Sequence, residues 1–150
     1  MQAAFELYAQ AFQQLASISA VLGGLAFTAA AALLAAGAGT NNPDALGKPA
    51  KITVATAVGS AVCLILGALM WSLMAADISR AVANNDVSSA SDLARLNWMP
   101  SLALIAGVVL FFISIGTSGW IASRKLGLLT SIAALGGGIA LLLMISLFVA

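Results

Sequence analysis

The feature that most constrains this chain is where its charges are missing. No Asp, Glu, Lys or Arg lies between Glu6 and Asp44, between Lys51 and Asp77, between Arg95 and Arg124, or after Lys125. Each gap holds a run of about 20 or more mostly apolar residues, enough for one helix to cross a hydrocarbon core roughly 30 Å thick. A charged side chain at mid-bilayer costs at least about 2.5–3.5 kcal/mol, so four such gaps read as four transmembrane helices. Composition agrees: 62% of the 150 residues are hydrophobic and 7% are charged, whereas a soluble domain carries about 25% charged residues. The expected fold is an all-α membrane protein forming a single domain over residues 1–150, with helices over about 5–36, 50–84, 91–122 and 125–150. The expected location is multi-pass in a plasma or inner membrane.

Punctuation between the runs supports these limits. The stretch AGTNNPDALGKP, from Ala38 to Pro49, is turn chemistry throughout. Pro49 suits the first turn of the second helix, where a missing N–H costs little. Asn84-Asn85-Asp86 breaks that helix, and Pro100 either starts the third span or kinks it. Ser123-Arg124-Lys125 reads as a tight basic connection. Trp71, Trp98 and Trp120 fall near the ends of their spans, where an interfacial tryptophan belt is expected.

The four spans differ in texture. The first is mostly Ala, Gly, Ser and Thr, while the third and fourth carry large apolar runs such as Val108–Ile113 and Leu141–Ile145. Alanine and glycine gain little from lipid tails, and small residues are enriched where helices meet. The first span is therefore expected to be the most protein-enclosed. At 100° per residue its Gln13, Ser17, Ala20, Gly24, Thr28, Ala31 and Ala35 fall within roughly 80° of arc. Two readings of this face compete. It is a small-residue groove for another helix, or it is the wall of a narrow pore built by copies of the span around a symmetry axis. A second stripe, Gly59, Cys63 and Gly67, is expected to pack on the first helix, with Cys63 acting as a small apolar residue. Gly136-Gly137-Gly138 reads as a flexible point or a point of close contact.

Several functions are disfavoured. With no histidine the commonest metal ligand and general base is missing, and no span holds a carboxylate for proton or sodium coupling. Asp77 with Arg80, and Asp92 with Arg95, are spaced three apart and read as solvated surface pairs. No enzyme, cofactor or metal is implied, and no basic cluster of the kind that binds nucleic acid is present.

The run S-I-S-A-V-L-G-G-L-A-F, Ser17 to Phe27, resembles the start of the pore helix of the Orai calcium-channel family, which reads S-A-L-L-S-G-F-A near the same point. The layout is similar too: four spans, a short first loop rich in turn and polar residues, a second helix running past the membrane, and a polar second loop. The resemblance implies a hexamer-like homo-oligomer with the first helix innermost and a cytoplasmic N-terminus and second loop. It places Gln13, Ser17, Val21, Gly24, Leu25, Thr28 and Ala32 along a pore, with Val21 or Leu25 as a gate that closes by dewetting. The family's filter glutamate falls on Ala32, and its deeper basic residues fall on Gln13 and Ser17. A calcium filter needs several hard oxygen ligands, so calcium selectivity is not implied. Asn41, Asn42 and Asp44 would form a polar mouth, with Lys48 and Lys51 close by. The positive-inside rule points the other way on orientation: Lys48, Lys51, Arg124 and Lys125 would draw the first and third loops to the cytoplasm.

The expected function is a pore-forming subunit of an oligomeric ion channel. The alternative is a non-conducting structural or accessory subunit that assembles through the small face of the first helix. The expected partners are further copies of the chain, membrane lipid and cations.

Overall fold

The computed structural model describes residues 2–38, 47–84 and 97–149, with side chains described over 5–35, 47–84, 97–140 and at Leu143. It is all-α. The helices are α1 (Gln2–Ala38), α2 (Lys48–Ala83), α3 (Trp98–Ala122) and α4 (Arg124–Val149). Among the described residues, three stretches are long and apolar enough to cross a membrane: Phe5–Ala35 of α1, all of α2 and all of α3. At about 1.5 Å per residue, α1 and α2 each have a contour of about 55 Å, well beyond a hydrocarbon core of roughly 30 Å.

The helix limits follow local chemistry. Gly47 starts α2: its carbonyl accepts the N–H of Ala50 at 3.0 Å and of Lys51 at 3.2 Å, and Pro49 sits in the first turn where it forfeits no hydrogen bond. Pro100 likewise lies in the first turn of α3 and is buried, so it begins the helix rather than kinking it. Residues 91–96 of the expected third helix lie outside the described residues, Asp92 and Arg95 among them. The basic connection is shorter than expected. Only Ser123 is non-helical, and it caps α4 by accepting the Leu126 N–H on Oγ (3.2 Å) and the Gly127 N–H on its carbonyl (2.9 Å).

Two compact units divide the chain: Met1–Gly24 with Val62–Gly107, and Leu25–Ala61 with Val108–Ala150. In the first unit α1 packs on α2 through Ala9, Phe12, Trp71, Met74, Ala75 and Ile78, with Phe5, Leu15, Ala16 and Val82 around them. The Phe12 and Trp71 rings are tilted at 45° with centroids 4.7 Å apart, a favourable aromatic geometry. Trp71 is thus a core residue, 3% exposed, and not a surface one. Packing against Phe12 outweighs the indole's preference for the headgroup region, although its buried N–H has no hydrogen-bond partner among the described residues. Trp98 and Trp120, 56% and 42% exposed, keep the surface placement expected of them.

The small residues of α2 turn toward α3. In the first unit a Cβ at Gly67 would contact Ala103, the Leu104 nitrogen and the Pro100 carbonyl at 3.7 Å, and one at Gly107 would meet Leu64 at 2.7 Å. In the second unit a Cβ at Gly59 would meet Leu110 at 3.3 Å. The stripe of Gly59 and Gly67 therefore faces α3, which corrects the expectation that it packs on α1. Small residues permit close approach without specifying the partner, and the bulky Leu64, Leu110 and Leu104 of this interface lie on α2 and α3. A second correction concerns enclosure. In one chain 33% of the most apolar stretch of α2 is buried, against 22% for α1 and 17% for α3, so α2 is the most enclosed of the three.

The second unit also holds an antiparallel α3–α4 hairpin. Gly116 faces Ala134, Gly119 faces Thr130 and the Leu126 carbonyl, and Gly127 lies under the Trp120 indole. Of the glycine triplet only Gly137 makes a close contact, beneath Phe112, while Gly136 and Gly138 have open space around them. Replacing Gly119 by Ala would place a methyl 2.6 Å from the Leu126 carbonyl oxygen, which is backbone and cannot move aside cheaply. We expect Gly119→Ala to destabilise the chain by about 1–3 kcal/mol. Gly136→Ala should be neutral or stabilise by about 0.5–1 kcal/mol through the lower cost of ordering a helical alanine. Thermal unfolding of the two variants in one detergent checks the pair.

Candidate functional site

The residues singled out by sequence lie on one helix, and their setting depends on which face α2 occupies. Along α1 the buried positions include Phe12, Ser19, Ala26 and Ala30. These recur at helical spacing, and the small face centred near Gly24 lies about 130° around the helix from them. In the first unit Gln13, Ser17, Val21 and Gly24 are all exposed. In the second unit Leu25, Thr28 and Ala32 are exposed as well. A Cβ built on Gly24 has nothing within 4 Å. The face is bordered by large exposed side chains, with Phe27 at 61% on one flank and Val21 and Leu25 at 64% and 57% on the other. The result is a shallow small-residue channel between apolar ridges.

Its polar groups are fewer in effect than in count. The Ser17 hydroxyl donates to the Gln13 carbonyl of its own helix at 3.0 Å, so its hydrogen is spent and only acceptor lone pairs face outward. Near the start of α1, Gln10, Gln13, Gln14, Ser17 and Ile18 line a shallow open pocket. The expected mouth residues Asn41, Asn42 and Asp44 lie outside the described residues. Asp77 and Arg80 form an exposed pair at 3.6 Å, the weakly stabilising surface contact expected of such spacing.

No protein-family model, curated protein or solved structure matches this chain. The reading of the site therefore rests on its own residues.

Sequence reasoning missed a hydroxyl cluster in the second unit. Thr53 of α2 donates to Thr117 of α3 at 2.8 Å, and Thr117 donates to the Ile113 carbonyl at 2.9 Å. Ser114 donates to the Thr53 carbonyl at 3.3 Å. On α4, Thr130 and Ser131 each reach the Gly116 carbonyl at 3.2 Å, and the Trp120 indole N–H donates to Ser131 at 3.1 Å. All of these except the Thr117–Ile113 bond, which lies within α3, cross between helices, and in an apolar setting each crossing bond contributes about 0.6–1.7 kcal/mol. The available signal was the concentration of Ser and Thr at 114, 117, 130 and 131 in otherwise apolar runs. It is ambiguous in a sequence because the same hydroxyls can bond their own helix, as Thr56, Ser72 and Ser118 do here.

The contrast between local and crossing bonds gives a measurable difference. Thr117→Val removes an interhelical acceptor and should lower stability by about 1 kcal/mol. Ser17→Ala removes a bond within one turn of one helix and should change stability by less than about 0.5 kcal/mol. Paired detergent melts of the two variants against the natural chain test this, and equal losses would show that Ser17 has a partner beyond its own helix.

Proposed function

We propose that this chain is a pore-forming subunit of an oligomeric ion channel, Orai-like in layout. It has four membrane crossings, α4 included, and α1 gathers with its copies around a central axis in a hexamer-like ring. The observation that carries the reading is the exposure of all seven candidate positions, Gln13, Ser17, Val21, Gly24, Leu25, Thr28 and Ala32. One face of α1 is occupied by its own chain, and the exposed remainder carries the stripe of Gln13, Ser17, Gly24 and Thr28 between larger apolar side chains. Lipid gives such a face little, and a ring of copies would enclose it. The pore wall would be of methyl groups, backbone-engaged hydroxyls and amides, with Val21 and Leu25 narrow and apolar enough to close it by dewetting. With Ala32 in place of a carboxylate, such a pore offers no strong calcium ligand, and permeation would be weakly selective.

One observation favours a non-conducting assembly instead. The Ser17 hydroxyl is satisfied within its helix, so this part of the face can meet another helix dry, with no polar group left unpaired. In that reading the chain is a structural or accessory subunit using the same face.

Accessibility separates the two. In a Cys63→Ala background, single cysteines at the seven positions should react with a water-soluble, membrane-impermeant thiol reagent at several sites recurring every three or four residues. Inert thiols at all seven, in protein that assembles normally, would rule out the pore and leave the packing subunit. Gly24→Leu adds an independent check. The side chain has room in its own chain, so monomer stability should hold while the oligomer seen by size-exclusion chromatography in detergent dissociates. An unchanged oligomer would show that the face is not at its centre.

A further inference from the structure

The two units differ in charge in a way that total composition conceals. By sequence the first unit holds Glu6, Asp77, Asp86 and Asp92 against Arg80 and Arg95, a net charge of −2. The second holds Lys48, Lys51, Arg124 and Lys125 against Asp44 alone, a net charge of +3. Among the described residues of the second unit there is no acidic side chain at all.

The fold then brings these four cations to one end of that unit. The Thr53–Thr117 hydrogen bond and the Gly59–Leu110 contact set α2 and α3 antiparallel. The start of α2, with Lys48 and Lys51, therefore lies at the same end as the last turn of α3. Ser123 is a one-residue link, so Arg124 and Lys125 at the start of α4 share that end. All four side chains are exposed. Immediately beyond them the surface becomes apolar, with Ile52 at 50%, Ile121 at 41% and Leu126 at 47% exposed. Trp120, its N–H held by Ser131, is half-exposed at the same level. A band of cations above an indole and a wall of aliphatic side chains matches the sequence of layers in a lipid leaflet: phosphate, glycerol and acyl chain.

We infer that this end of the second unit is a docking surface for anionic phospholipid headgroups, with Lys48, Lys51, Arg124 and Lys125 engaging phosphodiester groups and Trp120 seated beside the glycerol region. Lipid is favoured over a free anion because the exposed aliphatic side chains of Ile52, Ile121 and Leu126 adjoin the cations. The cations form a rim beside this hydrocarbon surface, which only a molecule with both a phosphate and a tail can cover. The inference does not depend on whether α1 lines a pore.

The test uses the whole natural chain in mixed micelles containing equal mole fractions of phosphatidylglycerol and phosphatidylcholine, followed by native mass spectrometry of the retained lipid. The expected result is an enrichment of phosphatidylglycerol of about fivefold or more, from several cations acting near one surface. Lys48→Gln with Lys51→Gln, and separately Arg124→Gln with Lys125→Gln, should each reduce that enrichment at least about twofold. Arg80→Gln with Arg95→Gln should leave it unchanged. A natural chain that retains both lipids equally overturns the inference, whether or not any variant folds. So does an enrichment that survives in both lysine and arginine pairs, or one that is abolished by about 10 mM inorganic phosphate at constant ionic strength, which would assign the site to a free anion. Quenching of tryptophan fluorescence in the natural chain by brominated phosphatidylglycerol, beyond that by brominated phosphatidylcholine, is the expected companion result.

Discussion

In a hydrocarbon setting a leucine gains nothing by leaving a lipid tail for another helix, so helices hold together only where backbones come close or where hydroxyls cross between them. Both devices are concentrated on α2 and α3. Gly107 in the first unit and Gly59 in the second each leave room for a facing leucine that a methyl group would crowd or displace, and Gly67 lets the start of α3 approach to contact distance. The hydroxyls of Thr53, Ser114 and Thr117 then join the same two helices in the second unit. The α3–α4 hairpin repeats the arrangement with Gly116, Gly119 and Gly127 as the small residues and Thr130, Ser131 and Trp120 as the polar ones. A chain with 7% charged residues has few other ways to specify its packing.

Against that background α1 is the exception. In the first unit it is held to α2 by an ordinary aromatic and aliphatic cluster, Phe12 on Trp71 with Met74 and Ile78 beside them. Clusters of this kind are stabilised by water exclusion. With a contour of about 55 Å for each helix, a part of α1 and α2 must lie outside a hydrocarbon core of roughly 30 Å, where that mechanism operates. The Gln13, Ser17 and Gly24 positions of α1 do not serve this contact. They lie on the face turned away from it.

Much of this was legible in the sequence, and the rest failed for physical reasons. Charge-free gaps located all four helices, because the cost of a mid-bilayer charge leaves a mark that no packing detail can hide. Turn chemistry at Gly47 and Ser123 placed two starts within a few residues. What a one-dimensional pattern cannot convey is the identity of a partner. Gly59 and Gly67 announce close approach, and only the fold shows that α3 makes it. Trp71 carries the statistical signature of an interfacial residue, but a Phe12 ring one helix away captures it. The hydroxyl cluster was invisible because a serine that crosses between helices and one that bonds back look identical in sequence. The small-residue face of α1 was legible from periodicity, whereas the seven pore positions were implied by the family resemblance; all seven are exposed in the single chain. Their environment in an assembly belongs to contacts that one chain does not contain.

The two readings of that face turn on a matter of lone pairs. A serine that donates to its own helix has used its only hydrogen, but its oxygen keeps acceptor capacity directed away from the backbone. Ser17 is in this state, donating to the Gln13 carbonyl at 3.0 Å. Facing another helix, it needs nothing further and packs as a slightly enlarged alanine. Facing an axis shared by several copies, the same oxygens form a ring of negative dipole ends, which attracts a cation weakly and repels an anion. The side-chain conformation is therefore compatible with both, and the distinction lies in geometry alone. A pore requires the copies to stand far enough apart to leave water between their Ser17 oxygens. The bordering bulk of Val21 and Leu25 on one flank and Phe27 on the other opposes close contact between neighbouring copies of α1 at the small face itself. Ridges of that height keep two such faces apart unless they interlock. A ring in which the Phe27 ridge rests against the next copy leaves the small-residue channel, with Val21 and Leu25 along its edge, directed at the axis, and that arrangement is the one that would conduct.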